Sequence, residues 1–164
     1  MKSSLTKRYD YSLWVRLHQT AHAVEEARQR ELSKVGLSVM KCAALFLAQV
    51  LGNNATPAEI SRWILREPHT VTSLVNRMEK EGLVTKVKDL GKKNLVRVVA
   101  TERGRQAYEK TTRLNSMRSI RNILSALSEA EQEQLHSYLE RLLRAAIKQL
   151  DKNSMPGLPR DFSR

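Results

Sequence analysis

The sequence predicts a mainly α fold carrying one two-stranded β-hairpin, and three observations lead there. Apolar residues recur at three- and four-residue spacing through most of the 164-residue chain. Helix start signals, a Ser or Thr followed by Pro or Glu, precede several of those stretches. One segment near the middle switches instead to β-branched runs around a Gly-containing turn.

The length holds one domain with a sizeable core and is short for two. Residues 1–151 are expected to form it, and 152–164, with Pro156, Gly157 and Pro159, read as a flexible tail. The formal charge is +12, from 29 Lys and Arg against 17 Asp and Glu. Such an excess suits a polyanionic partner, because each Lys or Arg placed at a phosphate releases condensed counterions. Direct counting gives +4 for residues 1–55, +5 for 56–105 and +3 for 106–164, so charge alone does not locate a binding face. The single cysteine, Cys42, excludes an intramolecular disulfide and a multi-cysteine zinc site and suits a reducing compartment. No apolar run approaches the ~20 residues that span a bilayer, and the N-terminal stretch lacks the apolar core of a signal peptide. A cytoplasmic protein without a membrane partner is expected.

From about residue 8 to 34, Leu13, Leu17, Ala21 and Val24 alternate with Arg16, Glu25 and Arg28 as in a long amphipathic helix ended by Gly36. Ser38 is positioned to cap a second helix through Val39, Cys42, Leu45, Phe46, Leu47 and Val50, expected to be largely buried and closed by Gly52-Asn53-Asn54. Thr56-Pro57-Ala58-Glu59 starts a short helix to about Leu65, with Glu59 placed to return a capping-box hydrogen bond. Glu67-Pro68 interrupts it, and Val71, Leu74, Val75 and Met78 then repeat helically over 68–81 until Gly82. Leu83–Lys88 and Leu95–Val99 read as the hairpin strands around Asp89-Leu90-Gly91-Lys92-Lys93-Asn94. Thr101 caps a helix expected to run through Tyr108 and Met117 to about Leu124, and Ser128-Glu129-Ala130-Glu131 opens the last one. There Leu135, Tyr138, Leu139, Leu142, Leu143, Ala146, Ile147 and Leu150 form a broad apolar stripe.

The order helix, turn, helix, hairpin over 57–100 is that of a winged helix-turn-helix, whose second helix enters the DNA major groove. With Val71, Leu74, Val75 and Met78 facing a core, His69, Thr70, Thr72, Ser73, Asn76 and Arg77 face outward. Such donors and acceptors suit base edges and phosphates. Thr70, Thr72 and Ser73 sit at the first turn, where free N–H groups and the helix dipole favour a phosphate. Arg77 can grip a phosphate or read guanine, and Asn76 can pair with adenine. Lys92 and Lys93, with Asn94, crown the hairpin as contacts to the minor groove or backbone; lysines kept on an exposed turn for solubility are the plainer alternative.

These residues resemble the MarR (multiple antibiotic resistance regulator) family of transcriptional regulators. Ala58-Glu59-Ile60-Ser61, Thr70-Val71-Thr72, Leu74-Val75, Arg77-Met78-Glu79, Gly82-Leu83-Val84 and Thr101-Glu102-Arg103-Gly104 carry the likeness, and the flanking helices extend it to about Asp151. Two positions depart from the family pattern. Lys92-Lys93-Asn94 stands where an Asp-Arg pair is usual, which favours phosphate contact over an arginine in the minor groove, and Ala100 stands where leucine is common.

The resemblance implies a homodimer whose helical region, 8–51 and 102–151, interleaves with its partner, while 56–101 forms the DNA-binding lobe. The stripe from Leu135 to Leu150 agrees, being wider than one chain readily covers. Two-fold symmetry then sets the recognition helices about 34 Å apart on a pseudo-palindromic promoter site, where binding represses transcription. The family also implies a small aromatic or anionic effector, for which Trp14, His18, His22, Phe46 and Arg66 are candidate contacts, although Trp14 and Phe46 also suit a core and the histidines a solvated face. His18 and His22 have the spacing of a metal pair but lack an accompanying acidic or sulfur ligand, so no metal or other cofactor is expected. Cys42 amid Ala43, Ala44, Leu45 and Phe46 reads as core, with a redox switch as the alternative. Phosphate loops, nucleophile elbows and paired carboxylates are missing, so catalysis is not expected. A protein-interaction adaptor that uses the basic surface on an acidic partner is the competing function.

Overall fold

The computed structural model describes residues 2–88, 95–112 and 117–150, with side chains from Tyr9 onward. The tail from 152, the hairpin tip and residues 113–116 lie outside the described residues.

The first helix, α1 (Lys2–Ser33), starts earlier than its apolar period suggests. Its end has a clear local cause. Gly36 takes φ +74°, a left-handed conformation that costs little without a Cβ. That turn lets Gly36 N–H reach the Ser33 carbonyl at 3.1 Å and Leu37 N–H reach that of Leu32 at 3.1 Å. Both leucines are buried, so the cap also closes an apolar contact. Gly82 (φ +71°) terminates a later helix in the same way, with Leu83 N–H on the Met78 carbonyl at 2.9 Å.

Helix α2 (Val39–Val50) is capped by Ser38, whose side chain accepts from Lys41 N–H. A 3₁₀ turn, Gly52–Asn54, follows it. Helix α3 (Pro57–Trp63) is capped by Thr56, whose hydroxyl oxygen accepts from Glu59 N–H at 3.1 Å. The reciprocal bond expected of Glu59 is not made. Its carboxylate accepts from Arg62 at 2.6 Å, and Thr56 N–H is taken by the Asn54 carbonyl at 2.9 Å. Leu65, expected at the end of this helix, lies beyond it in a left-handed conformation, φ +53°.

Helix α4 (Pro68–Lys80) precedes strands β1 (Val84–Lys88) and β2 (Val96–Ala100). The strands pair antiparallel from Val84↔Ala100 to Lys88↔Val96. On its other edge β2 donates from Val98 N–H to the Ala55 carbonyl at 2.7 Å, which ties the hairpin to the start of α3.

Thr101 caps α5 (Glu102–Thr112), accepting from Gly104 N–H at 3.0 Å while donating to the Gly82 carbonyl at 2.6 Å. The single helix expected to run from Thr101 to Leu124 is instead two. The second, α6 (Arg118–Leu124), begins after Met117, whose φ −109° and ψ 19° are not helical. Helix α7 (Glu129–Gln149) opens with Glu131 Oε2 accepting from both the N–H of Ser128, at 2.8 Å, and its hydroxyl, at 2.7 Å.

The core lies where α2, α3, α4, α5 and the hairpin meet. Leu45, Ala44, Ile60, Val71, Val75, Met78, Val84 and Val98 are each at most 1% exposed there. Ala100 is buried as well, and fills its place beside Leu83 with less volume than leucine would. The long helices behave differently. Trp14 on α1 is 59% exposed and Leu142 on α7 51% exposed, and Tyr11, Leu13, Leu17, Tyr138, Leu139, Leu143 and Leu150 are also uncovered. No described helix is long and apolar enough to cross a membrane.

Candidate nucleic-acid interface

Helix α4 is divided cleanly by its period. Val71, Leu74, Val75 and Met78 are buried, while His69, Thr70, Thr72, Ser73, Asn76 and Arg77 are all exposed on the opposite face. The six residues expected to face outward therefore share one surface.

Local hydrogen bonding changes what some of them offer. Pro68 has no N–H, and Thr70 N–H and Val71 N–H are both taken by the Glu67 carbonyl, at 3.0 and 3.3 Å. The first turn was expected to present several free amides to a phosphate. Two of those amides, Thr70 N–H and Val71 N–H, are instead engaged by the chain itself. Thr72 donates its hydroxyl proton to the Pro68 carbonyl at 2.9 Å, so it presents lone pairs outward.

Asn76 is tethered. Lys86 on β1 donates from Nζ to Asn76 Oδ1 at 2.9 Å and pairs with Glu79 Oε2 at 2.9 Å, while its N–H donates to Glu79 Oε1 at 3.0 Å. The Lys86 ammonium and amide together hold the Glu79 carboxyl below the usual carboxylate value. Helix and hairpin are thus joined on the exposed side as well as through the core.

Arg77 and Thr70 border a shallow depression of about 330 Å³ together with Ser38, Met40 and Lys41 from the start of α2. Lys41 forms an ion pair with Glu81 at 2.6 Å that fixes α2 against the end of α4. Ser38, Met40 and Lys41, which border Thr70 and Arg77 in the structure, were not among the candidates read from the sequence. The available signal was a capping serine followed within one turn by a lysine, which is not distinctive without the neighbouring helix.

On the hairpin, Lys86 and Lys88 are exposed along β1. Lys92, Lys93 and Asn94, expected at its tip, lie outside the described residues. Arg97 on β2 reaches Asn53 Oδ1 at 3.3 Å.

The candidate effector contacts fall in separate places within one chain. Trp14 and His18 stack with ring centroids 6.0 Å apart and planes 14° from parallel, both exposed on α1 beside exposed His22. Phe46 is half-buried and tilted against Tyr108, centroids 6.1 Å apart. Burial, reinforced by the neighbouring Cys42 sulfur, pushes the Tyr108 phenol above its ordinary value of 10.0. Cys42, read from the sequence as a core residue, is half-buried and packed against the core, with Sγ 3.5 Å from Thr111 Oγ1. Arg66 lines a small depression at the turn between α3 and α4 with Arg62 and Pro68.

Comparison with known proteins accords with this geometry. No protein-family profile matches the chain. Among curated proteins, the transcriptional activatory protein BadR of Rhodopseudomonas palustris is 26% identical over 99 residues, 59% of this chain. That match spans 57% of BadR, little more than half its length. Among solved structures, the organohalide-sensing transcriptional regulator RdhR in its 2,4-dichlorophenol-bound form is 31% identical, covering 92% of this chain and 90% of its own, with a TM-score of 0.81. MarR of E. coli complexed with operator DNA shares the fold at a TM-score of 0.73 and 19% identity, covering 80% of this chain and 94% of its own. These relatives are regulators and not enzymes. Taken with the buried and exposed faces of α4 and the hairpin paired beside it, they show that the chain belongs to the MarR family of transcriptional regulators.

Proposed function

We propose that the chain is a sequence-specific repressor that binds a pseudo-palindromic duplex site as a homodimer, with α4 in the major groove and the hairpin on the flanking backbone. The observation that carries this reading is the single exposed polar face of α4, from His69 to Arg77, backed by four buried apolar residues. The formal charge of +12 supplies the sequence-independent attraction to phosphate. Lys92, Lys93 and Asn94 at the hairpin tip extend the contact. Exposed leucines and aromatics on α1 and α7 support the dimer, since an apolar surface of that extent is stable when a second copy covers it. In this assembly residues 8–51 and 102–151 form the dimerisation body, 56–101 the DNA-binding lobe, and the protein acts in the cytoplasm.

A small aromatic or anionic effector sets the affinity for DNA. Support comes from the 31% identical RdhR, solved with 2,4-dichlorophenol. Phe46 and Tyr108 supply an aromatic wall, and the partner subunit's α1 would bring Trp14, His18 and His22 toward it, with Arg66 as an anion partner.

Activation is the second reading, favoured by the likeness to BadR. Selection of bound sequences from random duplex DNA, followed by transcription in vitro from a promoter carrying the winning site, tests both. A two-fold motif with half-sites one helical turn apart and reduced transcript supports the repressor. Increased transcript establishes activation, and no enrichment with only weak salt-labile binding favours the protein-interaction adaptor.

A further inference from the structure

Among the described residues, Asn76 is the one residue of the exposed α4 face whose side chain is held by the hairpin, and the holding group dictates what it can read. A lysine ammonium only donates hydrogen bonds, so the Asn76 atom 2.9 Å from Lys86 Nζ is the carbonyl oxygen and the amide orientation is fixed by chemistry. Asn76 Nδ2 then points away from Lys86, with no partner among the described residues.

Bidentate reading of adenine by asparagine needs both ends of the amide, Oδ1 to accept from N6 and Nδ2 to donate to N7. Here Oδ1 is engaged by a cation, and a base amino group approaching the same oxygen would bring its own positive hydrogens beside that ammonium. Glu79 takes a second Lys86 proton at 2.9 Å and holds the ammonium in position. The third Lys86 proton and both Nδ2 protons remain, and all three are donors. A cluster that only donates matches an edge that only accepts. In the major groove guanine presents two adjacent acceptors, O6 and N7, whereas thymine presents only O4 beside its methyl group, so guanine matches the paired donors better.

We propose that Asn76 and Lys86 act as one donor unit that reads guanine in each half-site, and that Lys86 is a specificity-determining residue of the hairpin. This revises the expectation that Asn76 pairs with adenine, and it rests on the reading of α4 as the recognition helix.

The test compares the purified full-length protein with Lys86→Met and Asn76→Asp on duplexes derived from the selected site, varying each base pair and the salt concentration. Wild type should prefer G·C over A·T at one pair per half-site by at least about fivefold. Lys86→Met keeps the stem but frees Oδ1, so the preference at that pair should collapse toward unity while other positions and the salt slope stay unchanged. Asn76→Asp keeps the bond to Lys86 and loses the donors, so it should lose the same preference. Thermal melting of both variants separates these effects from misfolding. A uniform loss of affinity by Lys86→Met on every sequence, with the salt slope reduced by about one, would make Lys86 a phosphate contact and overturn the proposal. Retention of the G·C preference by either folded variant overturns it too, as does a wild-type preference for A·T at every pair sensitive to Asn76. If wild type selects no sequence at all, the regulator reading above fails along with it.

Discussion

Ser119 donates its hydroxyl to Glu31 Oε2 at 2.7 Å and its N–H to Oε1 of the same carboxylate at 3.3 Å, so one side chain of α1 accepts the first turn of α6. Arg28 completes the group, pairing with Glu31 at 2.7 Å and donating to the Thr111 carbonyl at 3.1 Å. Glu31 thereby joins α1 to α6, and its partner Arg28 joins α1 to the end of α5. Burial alone would raise the Glu31 pKa, but bonds from Ser119 and Arg28 outweigh it and hold the carboxyl below 4.5.

The sign of the pH effect follows. A depressed carboxylate contributes stability that is complete above the unfolded value and is lost as pH falls through the folded value. Wild type should therefore lose stability below about pH 4.5. Glu31→Gln should flatten that limb and lower stability at neutral pH by about 1–3 kcal/mol, the scale of a hydrogen bond to a charged group. Urea unfolding at pH 7 and pH 4 measures both. An unchanged acid limb in Glu31→Gln would assign the acid sensitivity to other carboxylates.

Gly104 sets how closely α5 lies on the hairpin. A Cβ there would overlap the Leu83 carbonyl oxygen and come 3.0 Å from Leu45 Cδ2. That backbone carbonyl, just before β1, accepts from Thr101 N–H at 3.1 Å and cannot swing away as a side chain can. Alanine usually stabilises a helix by about 1 kcal/mol relative to glycine. Here Gly104→Ala should instead destabilise by about 1–3 kcal/mol, because overpacking decides the sign. The melting temperature checks it, and a rise would show that α5 can slide away from Leu83 freely.

Leu65 carries the opposite kind of strain. Its φ of +53° places a γ-branched side chain in the left-handed region at the turn between α3 and α4, with its side chain 38% exposed. A left-handed residue with a Cβ costs about 1–2 kcal/mol, part of which the exposed leucine recovers in local contacts. Leu65→Gly should raise stability by up to about 1 kcal/mol, read as a higher urea midpoint at an unchanged slope. A lower midpoint would mean that Leu65 contacts outweigh the strain.

Much of this architecture was legible because its signals are local. Ser38, Thr56, Thr101 and Ser128 each cap the helix their position announced, and the 3.6-residue period alone separated Val71, Leu74, Val75 and Met78 from the exposed face of α4. The misreadings came from competition for one atom. Glu59 was within reach of the Thr56 amide but found Arg62, and that amide found Asn54. Met117 has good helix propensity, yet it stands outside α6 with a non-helical backbone, and the Glu31 bond to Ser119 just beyond it is visible only once α1 and α6 are neighbours. The same holds for Lys86 and Asn76, ten residues apart on different elements. No period links a helix face to a strand, so the most informative contact of the interface had no sequence signature.

Arg77 is exposed beside Thr70 and the first turn of α2, and in the proposed DNA complex it either reads a base or holds a phosphate. On the selected site Arg77→Ala should weaken binding by about 1–3 kcal/mol and relax the preference at one pair, whereas Lys88→Ala should weaken all duplexes alike and reduce the salt slope by about one. Titrations on selected and scrambled duplexes at two salt concentrations separate the cases. Equal losses on both duplexes from Arg77→Ala would assign it to phosphate.

The exposed stripe of α7 predicts assembly. Leu142 is 51% exposed and Leu139 43%, on a helix that leaves most of its apolar residues uncovered by its own chain. Burying one leucine contributes about 1.5–3 kcal/mol, and two-fold symmetry counts each substitution twice. Leu142→Glu should therefore weaken a homodimer by several kcal/mol, because it also places a carboxylate from each subunit in an apolar seam. Sedimentation should show wild type as a dimer at micromolar concentration and the variant as a monomer. The melting temperature should rise with concentration only for wild type. A monomeric wild type that melts independently of concentration would leave the α7 stripe to a different partner, and the two-fold operator would lose its physical basis.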